Sequence, residues 1–139
     1  MYPSANHTRF EHSIGTAHVA GRIAKRLELG EDGEMLKTAA LLHDIGHGPL
    51  SHTSEELLKR YLGYTHEDAT LRLIKESAIR DVLSDNSLDP ALVLKILSKK
   101  DPLSGLISGE VDVDRMDYLA RDAYHTGVAY GVIDLDRLV

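Results

Sequence analysis

The chain has no cysteine and no tryptophan, one phenylalanine, no long apolar run and no excess of positive charge. Each absence excludes something. Without cysteine there are no disulfides, no thiolate zinc sites and no cysteine nucleophile, and the composition suits a reducing compartment. No apolar stretch approaches the ~20 residues of a membrane span, and Met1-Tyr2-Pro3-Ser4-Ala5-Asn6 lacks a basic-then-apolar signal pattern. A cytoplasmic protein with no membrane partner is therefore expected. The scarcity of large aromatics leaves few platforms for stacking single-stranded nucleic acid. The net charge of -6 removes any global field that would recruit it, Lys99-Lys100 and scattered arginines being the only basic features. An anionic ligand would need a local positive site, such as a metal ion with a few arginines and histidines.

What the chain does have is helical patterning over 139 residues, a length suited to one domain spanning 1–139. Such a domain buries roughly two thirds of its unfolded surface. Thr8 and Glu11 form a capping box for a helix from about Arg9 to Leu27. Ile14, Ala17, His18, Gly21, Ala24 and Leu27 would share its inner face. Gly15 and Gly21 would let neighbours approach. A second helix is expected over 32–45, with Ala39-Ala40-Leu41-Leu42 central and buried, and Gly46 to Pro49 would end it. A third should run from His52 or Thr53 to Leu62. Thr65 would cap a fourth with Asp68 in its first turn, and Ala69, Leu71, Leu73 and Ile74 would form its buried stripe.

Ile79, Val82 and Leu83 suggest a short helix. Asp89-Pro90 starts another around Leu92, Val93, Ile96 and Leu97. Asp101-Pro102 repeats that start signal, and the helix would reach Ile107. A last long helix is expected from about Asp112. After it comes a loose tail, with a helical turn over 134–138. The fold class is all-α.

The densest chemistry lies in His43-Asp44-Ile45-Gly46-His47-Gly48-Pro49-Leu50-Ser51-His52, which holds three of the 8 histidines. Each buried imidazole must find hydrogen-bond partners, and a divalent cation is one way to satisfy them. His12 on the first helix, His43 and Asp44 at the end of the second and Asp114 on the last offer two imidazoles and two carboxylates from three separate helices. That mixed nitrogen and oxygen set suits Mn, Fe, Ni, Co, Zn or Mg, with positions left for water and substrate oxygen. The alternative for these four is buried polar pairing without a metal.

The chain resembles the HD superfamily of metal-dependent phosphohydrolases, and within it the deoxynucleotide triphosphohydrolases of the dGTPase and SAM-and-HD-domain type. The resemblance is carried by four segments. They are His7-Thr8-Arg9-Phe10-Glu11-His12-Ser13-Ile14-Gly15, the stretch from His43 to His52, Thr65-His66-Glu67, and Asp112-Val113-Asp114-Arg115-Met116-Asp117-Tyr118-Leu119-Ala120-Arg121-Asp122. They keep the family's order. The resemblance implies an HD-domain helical bundle, shortened relative to family members, which carry sequence before Tyr2-Pro3 and a large helical portion after Val139. The nucleotide pocket would then be open on one side, and a homo-oligomer is expected to fill it.

By the same resemblance, His12, His43, Asp44 and Asp114 match metal ligands. His66 matches a catalytic histidine, and Glu55 stands where the family places its acidic partner, although Glu56 is adjacent. His47 and His52 match contacts to the phosphate nearest the sugar. Arg9 and Arg115 match positive groups on the phosphates, and Tyr118 and Asp122 match residues at the phosphate and sugar hydroxyl. His18 and His125 read as structural, and His7 has no assigned role. The implied activity is hydrolysis of a dNTP to deoxynucleoside and triphosphate, by attack of water on the innermost phosphorus. The rivals are a nucleoside monophosphate phosphatase or another HD phosphohydrolase, and a non-catalytic nucleotide-sensing module that keeps the fold.

Overall fold

The computed structural model describes residues 2–138, apart from the side chains of His52 and Tyr130. Among these residues there is no strand, and the architecture is all-α. Helix α1 spans Arg9–Arg26 and opens on the expected capping box, in which the Thr8 hydroxyl accepts the Glu11 amide and the Glu11 carboxylate accepts the Thr8 amide. Helix α2 is Glu31–Leu42, α3 is His52–Leu62 and α4 is His66–Glu76. Thr65 and Asp68 cap α4 reciprocally. Helices α5 (Ile79–Asp85), α6 (Pro90–Leu97) and α7 (Ser104–Ile107) are short. Helix α8, Val113–Thr126, is capped by the Asp112 carboxylate and ends on Gly127 at φ 70°. A 3-10 turn over Ala129–Gly131 and α9, Leu135–Leu138, finish the chain.

The order of packing explains where the site lies. Helix α1 packs against both α2 and α8, α2 packs against α6, and α4 closes on α5 and α6. Leu36, Ile74, Val93, Ile96 and Val113, from four different helices, are fully or almost fully buried where these helices meet. Burying a side chain of that size contributes ~1.5–3 kcal/mol. This core holds α1, the end of α2, the start of α4 and the start of α8 around one point.

Several buried faces differ from the sequence pattern. The inner face of α1 is His12, Thr16, Val19, Ala20, Ile23 and Ala24, while Ile14 and Leu27 are about half exposed and His18 is exposed. The α2 and α8 partners sit over the side carrying the small and polar residues, so apolarity marked the wrong edge. Helix α4 buries Thr70 and Ile74 and leaves Leu73 partly exposed, for a related reason given below. Leu41 at the end of α2 and Val82 on α5 face outward too. Helix α2 stops at Leu42 rather than Ile45, and 43–46 are successive turns. Asp101-Pro102 makes a turn, with the Asp101 carboxylate accepting the Leu103 amide, and α7 begins only at Ser104.

Candidate metal centre

The turn after α2 is held from outside. The Thr70 hydroxyl on α4 accepts the Gly46 amide at 3.0 Å and donates to the His43 carbonyl at 3.2 Å. Thr70 is 2% exposed, which is why a polar residue stands in the inner face of α4. Gly46 has no alternative: a Cβ there would fall on the His66 carbonyl and the Thr70 amide, both backbone atoms. Close approach of α4 thus sets the direction in which His43 and Asp44 leave the chain.

His43 puts Nδ1 on the Ala40 carbonyl at 2.7 Å, so Nδ1 carries the hydrogen and Nε2 is left with a lone pair. That Nε2 is buried and has no hydrogen-bond partner. It lies 3.3 Å from Asp44 Oδ1 without hydrogen-bond geometry, and 3.6 Å from Asp114 Oδ1, beyond hydrogen-bond reach. His12 mirrors it. Its Nδ1 is 2.8 Å from Asp117 Oδ2, and its Nε2 faces Asp114 Oδ1 at 2.9 Å and Asp44 Oδ2 at 3.9 Å. His12, His43 and Asp44 offer three ligand atoms that all lie within 4.8 Å of one another. This group can hold a metal ion, and the donor chemistry fits: two imidazole nitrogens turned toward carboxylate oxygens, one of them a buried acceptor with nothing to accept.

Electrostatics reflect the crowding. Burial works against a charge on His12, yet its bonds to Asp114 and Asp117 outweigh that and push it up to about 9. His43 is raised as well: burial opposes the shift, and the nearby Asp114 and Asp44 carboxylates and the Ala40 carbonyl override it. Burial would raise Asp114, but the two imidazoles hold it well below the usual carboxylate range. Asp117 is lowered too, with His12 and Arg121 overcoming burial. Positive charge is therefore favoured at this point, whether supplied by protons or by a cation.

Around the cluster, His66 Nδ1 lies 2.5 Å from Glu55 Oε1. The His47 ring stacks on His66 with centroids 3.9 Å apart, and its Nε2 is 3.4 Å from Asp44 Oδ1. Arg9 donates from Nη1 to Asp44 and from Nε and Nη2 to the Ser51 hydroxyl. The loop that presents Ser51 is left-handed at Leu50 (φ 62°) and Ser51 (φ 49°), a conformation that costs non-glycine residues about 1 kcal/mol or more each. A cavity of about 480 Å³ is lined by Arg9, His12, Asp44, His47, Ser51, His66, Asp114, Tyr118 and Asp122.

The structure thus brings together Arg9, His12, Asp44, His47, His66, Asp114, Tyr118 and Asp122, with Glu55 behind His66. Arg115 is not in this cavity. Its guanidinium donates to the Glu110 carbonyl, and it lines a second cavity of about 230 Å³ with Lys99, which also touches Asp44, His66 and Asp114. The side chain of His52 lies outside the described residues.

Two residues escaped the sequence reading. His7, left without a role, places Nε2 2.7 Å from Asp122 Oδ1 and lines the larger cavity. Asp117 is buried against His12 and was passed over as part of a motif. Its spacing was a usable signal: three residues beyond Asp114 and four before Arg121, it shares their helix face.

Comparison with known proteins agrees with this geometry. A protein of Methanocaldococcus jannaschii, the uncharacterized protein MJ1154, is 47% identical over 139 residues, covering 100% of this chain and 28% of that protein. The deoxynucleoside triphosphate triphosphohydrolase SAMHD1 homolog of Dictyostelium discoideum is 31% identical over 169 residues, covering 100% of this chain and 31% of that one. Among solved structures, a phosphohydrolase (BT4208) from Bacteroides thetaiotaomicron superposes with a TM-score of 0.77 at 35% identity, covering 99% of this chain and 34% of that one. The chain spans about a third of the length of the curated relatives it matches. The HD domain family matches residues 9–122, which takes in all four converging helix ends, and the chain belongs to that family.

Proposed function

We propose that the chain is a metal-dependent phosphohydrolase acting on nucleotides, and that it hydrolyses a dNTP to deoxynucleoside and triphosphate. The observation that carries this reading is the buried, partnerless Nε2 of His43 beside two carboxylates, with His66, paired to Glu55, lining the same smaller cavity as His43, Asp44 and Asp114. The similarity to a phosphohydrolase and to deoxynucleoside triphosphate triphosphohydrolases supports it. His12, His43, Asp44 and Asp114 would hold the ion. A divalent cation so placed neutralises phosphate charge and lowers the pKa of a bound water.

The remaining work falls to side chains. Water adds to the innermost phosphorus, the bond from phosphorus to the 5′ oxygen breaks, and the departing oxygen needs a proton. His66 supplies it, oriented by Glu55 through Nδ1 so that Nε2 is the donor. His47, stacked on His66 and 4% exposed, fixes the plane of that ring and can donate to the phosphate. Arg9 at the rim and Arg115 in the adjoining cavity offer guanidinium forks to phosphate oxygens. His52 is assigned to the same phosphate contact. Tyr118 and Asp122 offer a hydroxyl and a carboxylate to the sugar, Asp122 being held by His7.

The test is turnover of a panel of dNTPs and nucleoside monophosphates by the chain loaded in turn with each candidate metal, with products identified. Triphosphate as product supports the reading, and orthophosphate from monophosphates replaces it with a phosphatase. His66→Ala should lower the rate by ~10²–10⁴-fold. Asp44→Ala as active as the parent would end the enzyme hypothesis.

A further inference from the structure

We propose that Asp117, clamped by Arg121, is a positioning residue that decides which nitrogen of His12 faces the metal centre. This rests on the metal-site reading above. The two imidazoles of the centre are built to one plan, with Nδ1 occupied by a protein acceptor and Nε2 turned toward Asp44 and Asp114. For His43 the acceptor is a backbone carbonyl. For His12 it is the carboxylate of Asp117, 2.8 Å away and 7% exposed. Carboxylates face both nitrogens of the metal-free ring, Asp117 at 2.8 Å from Nδ1 and Asp114 at 2.9 Å from Nε2. An ionised carboxylate can only accept, so once a cation occupies the Asp44 and Asp114 side, Asp117 holds the ring hydrogen on Nδ1 and leaves the Nε2 lone pair to that cation. Any residue able to donate at this position would permit the opposite tautomer, which cannot ligate through Nε2.

Asp117 is itself immobilised. Arg121, one turn further along α8, donates from Nε to Oδ2 and from Nη2 to Oδ1, each at 2.9 Å. This paired geometry keeps the carboxylate ionised and sets its plane. Helix α1 makes room for the pair at Gly15, where a Cβ would overlap the Asp117 carboxylate and the Arg121 guanidinium. Thr16 seals the other side, its hydroxyl donating to the His12 carbonyl at 2.9 Å. Helix α8 therefore contributes twice: Asp114 as a candidate ligand, and one turn later the group that orients the candidate ligand of α1. The packing of α1 on α8 and the geometry of the centre are one arrangement.

The experiment has two readouts on the full chain. The first is Co²⁺ affinity, followed by visible absorption, for the parent, Asp117→Asn, Arg121→Gln and Asp44→Ala. Asp117→Asn should weaken Co²⁺ binding ~10–100-fold, and Arg121→Gln, which leaves the acceptor but frees it, ~10-fold. The second is the tautomer of neutral, metal-free His12, read from long-range nitrogen–proton correlation spectra of the imidazole in an Asp114→Ala background, which removes the competing acceptor at Nε2. With Asp117 present the hydrogen should sit on Nδ1, and adding Asp117→Asn should populate the Nε2–H form, a change that lost packing alone would not produce. If Asp117→Asn does not fold, Asp117→Ser, whose hydroxyl can also donate, replaces it in both readouts, and Arg121→Gln decides on Co²⁺ affinity. Parent binding with both variants within about twofold and the tautomer unchanged overturns this proposal and leaves the metal site standing. A parent that binds no Co²⁺, like Asp44→Ala, ends the metal-site reading and this proposal with it.

Discussion

Thr70→Val tests whether the turn carrying His43 and Asp44 is held by α4. The substitution keeps the shape of a side chain that is 2% exposed and removes its hydroxyl. The Gly46 amide then loses its acceptor at 3.0 Å and the His43 carbonyl its donor at 3.2 Å. An unsatisfied buried group costs ~1–3 kcal/mol. The turn is only part-buried, which places the pair near the low end, at ~2–3 kcal/mol together. Unfolding entropy of ~2.1 cal/mol/K per residue over 139 residues gives about 0.3 kcal/mol/K, so Tm should fall by ~7–10 °C. Thr70→Ser is the reference: it keeps both bonds and loses a methyl group, ~1 kcal/mol. Urea and thermal unfolding with chelator present isolate the turn from any bound metal. The metal affinity of Thr70→Val should fall as well, because the released turn carries His43 and Asp44. If the valine variant melts no lower than the serine variant, the two hydrogen bonds do not hold the turn and the account of how the centre is positioned is wrong.

Three further outcomes are expected. His12 is raised from 6.5 to about 9 in the folded, metal-free chain, so the stability it contributes is complete below pH 6.5 and is lost as pH rises through about 9. The urea midpoint with chelator should fall across that window, with His43 acting in the same direction and His12→Gln giving a flatter profile. Because that proton also competes with the ion, metal affinity should rise over the same range, as measured by titration at stepped pH. Gly46→Ala forces a Cβ onto two backbone atoms and should cost ~3 kcal/mol or more in chemical unfolding, whereas Ala at Gly105, where nothing lies within 4 Å, should not destabilise. Leu50→Gly should raise stability by about 0.5 kcal/mol in the same assay, because a residue 79% exposed at φ 62° gains more from relieved strain than it loses in chain entropy.

Much of the architecture was written locally. Thr8 with Glu11 and Thr65 with Asp68 are reciprocal caps within four residues, so the starts of α1 and α4 follow from neighbours along the chain. Gly63 and Gly127, both at positive φ, end α3 and α8 for a similarly local reason. The histidines and aspartates of the centre stood out because few globular cores tolerate so many titratable groups without a shared partner. What was misread depends on who packs against whom. Apolar counting put Ile14 and Leu27 inside α1, but α8 arrives over His12 and Thr16, and the buried polar face is compensated by the Asp117 carboxylate of α8 on His12 and by the Thr16 hydroxyl bonding back to the His12 carbonyl within α1. No periodicity reports a partner 105 residues away, which is the separation of His12 and Asp117.

By itself, the sequence determined the helical class, most helix ends and the inventory of groups able to hold a cation, since these depend on spacing and on the donor chemistry of single residues. Only the tertiary structure decided which nitrogen of each imidazole is turned toward the carboxylates, which helix face is buried, and that Arg115 lies in a different cavity from Arg9. Those outcomes are set by distances between atoms remote in the chain. They exist only once the core has brought α1, α2, α4 and α8 to a common point.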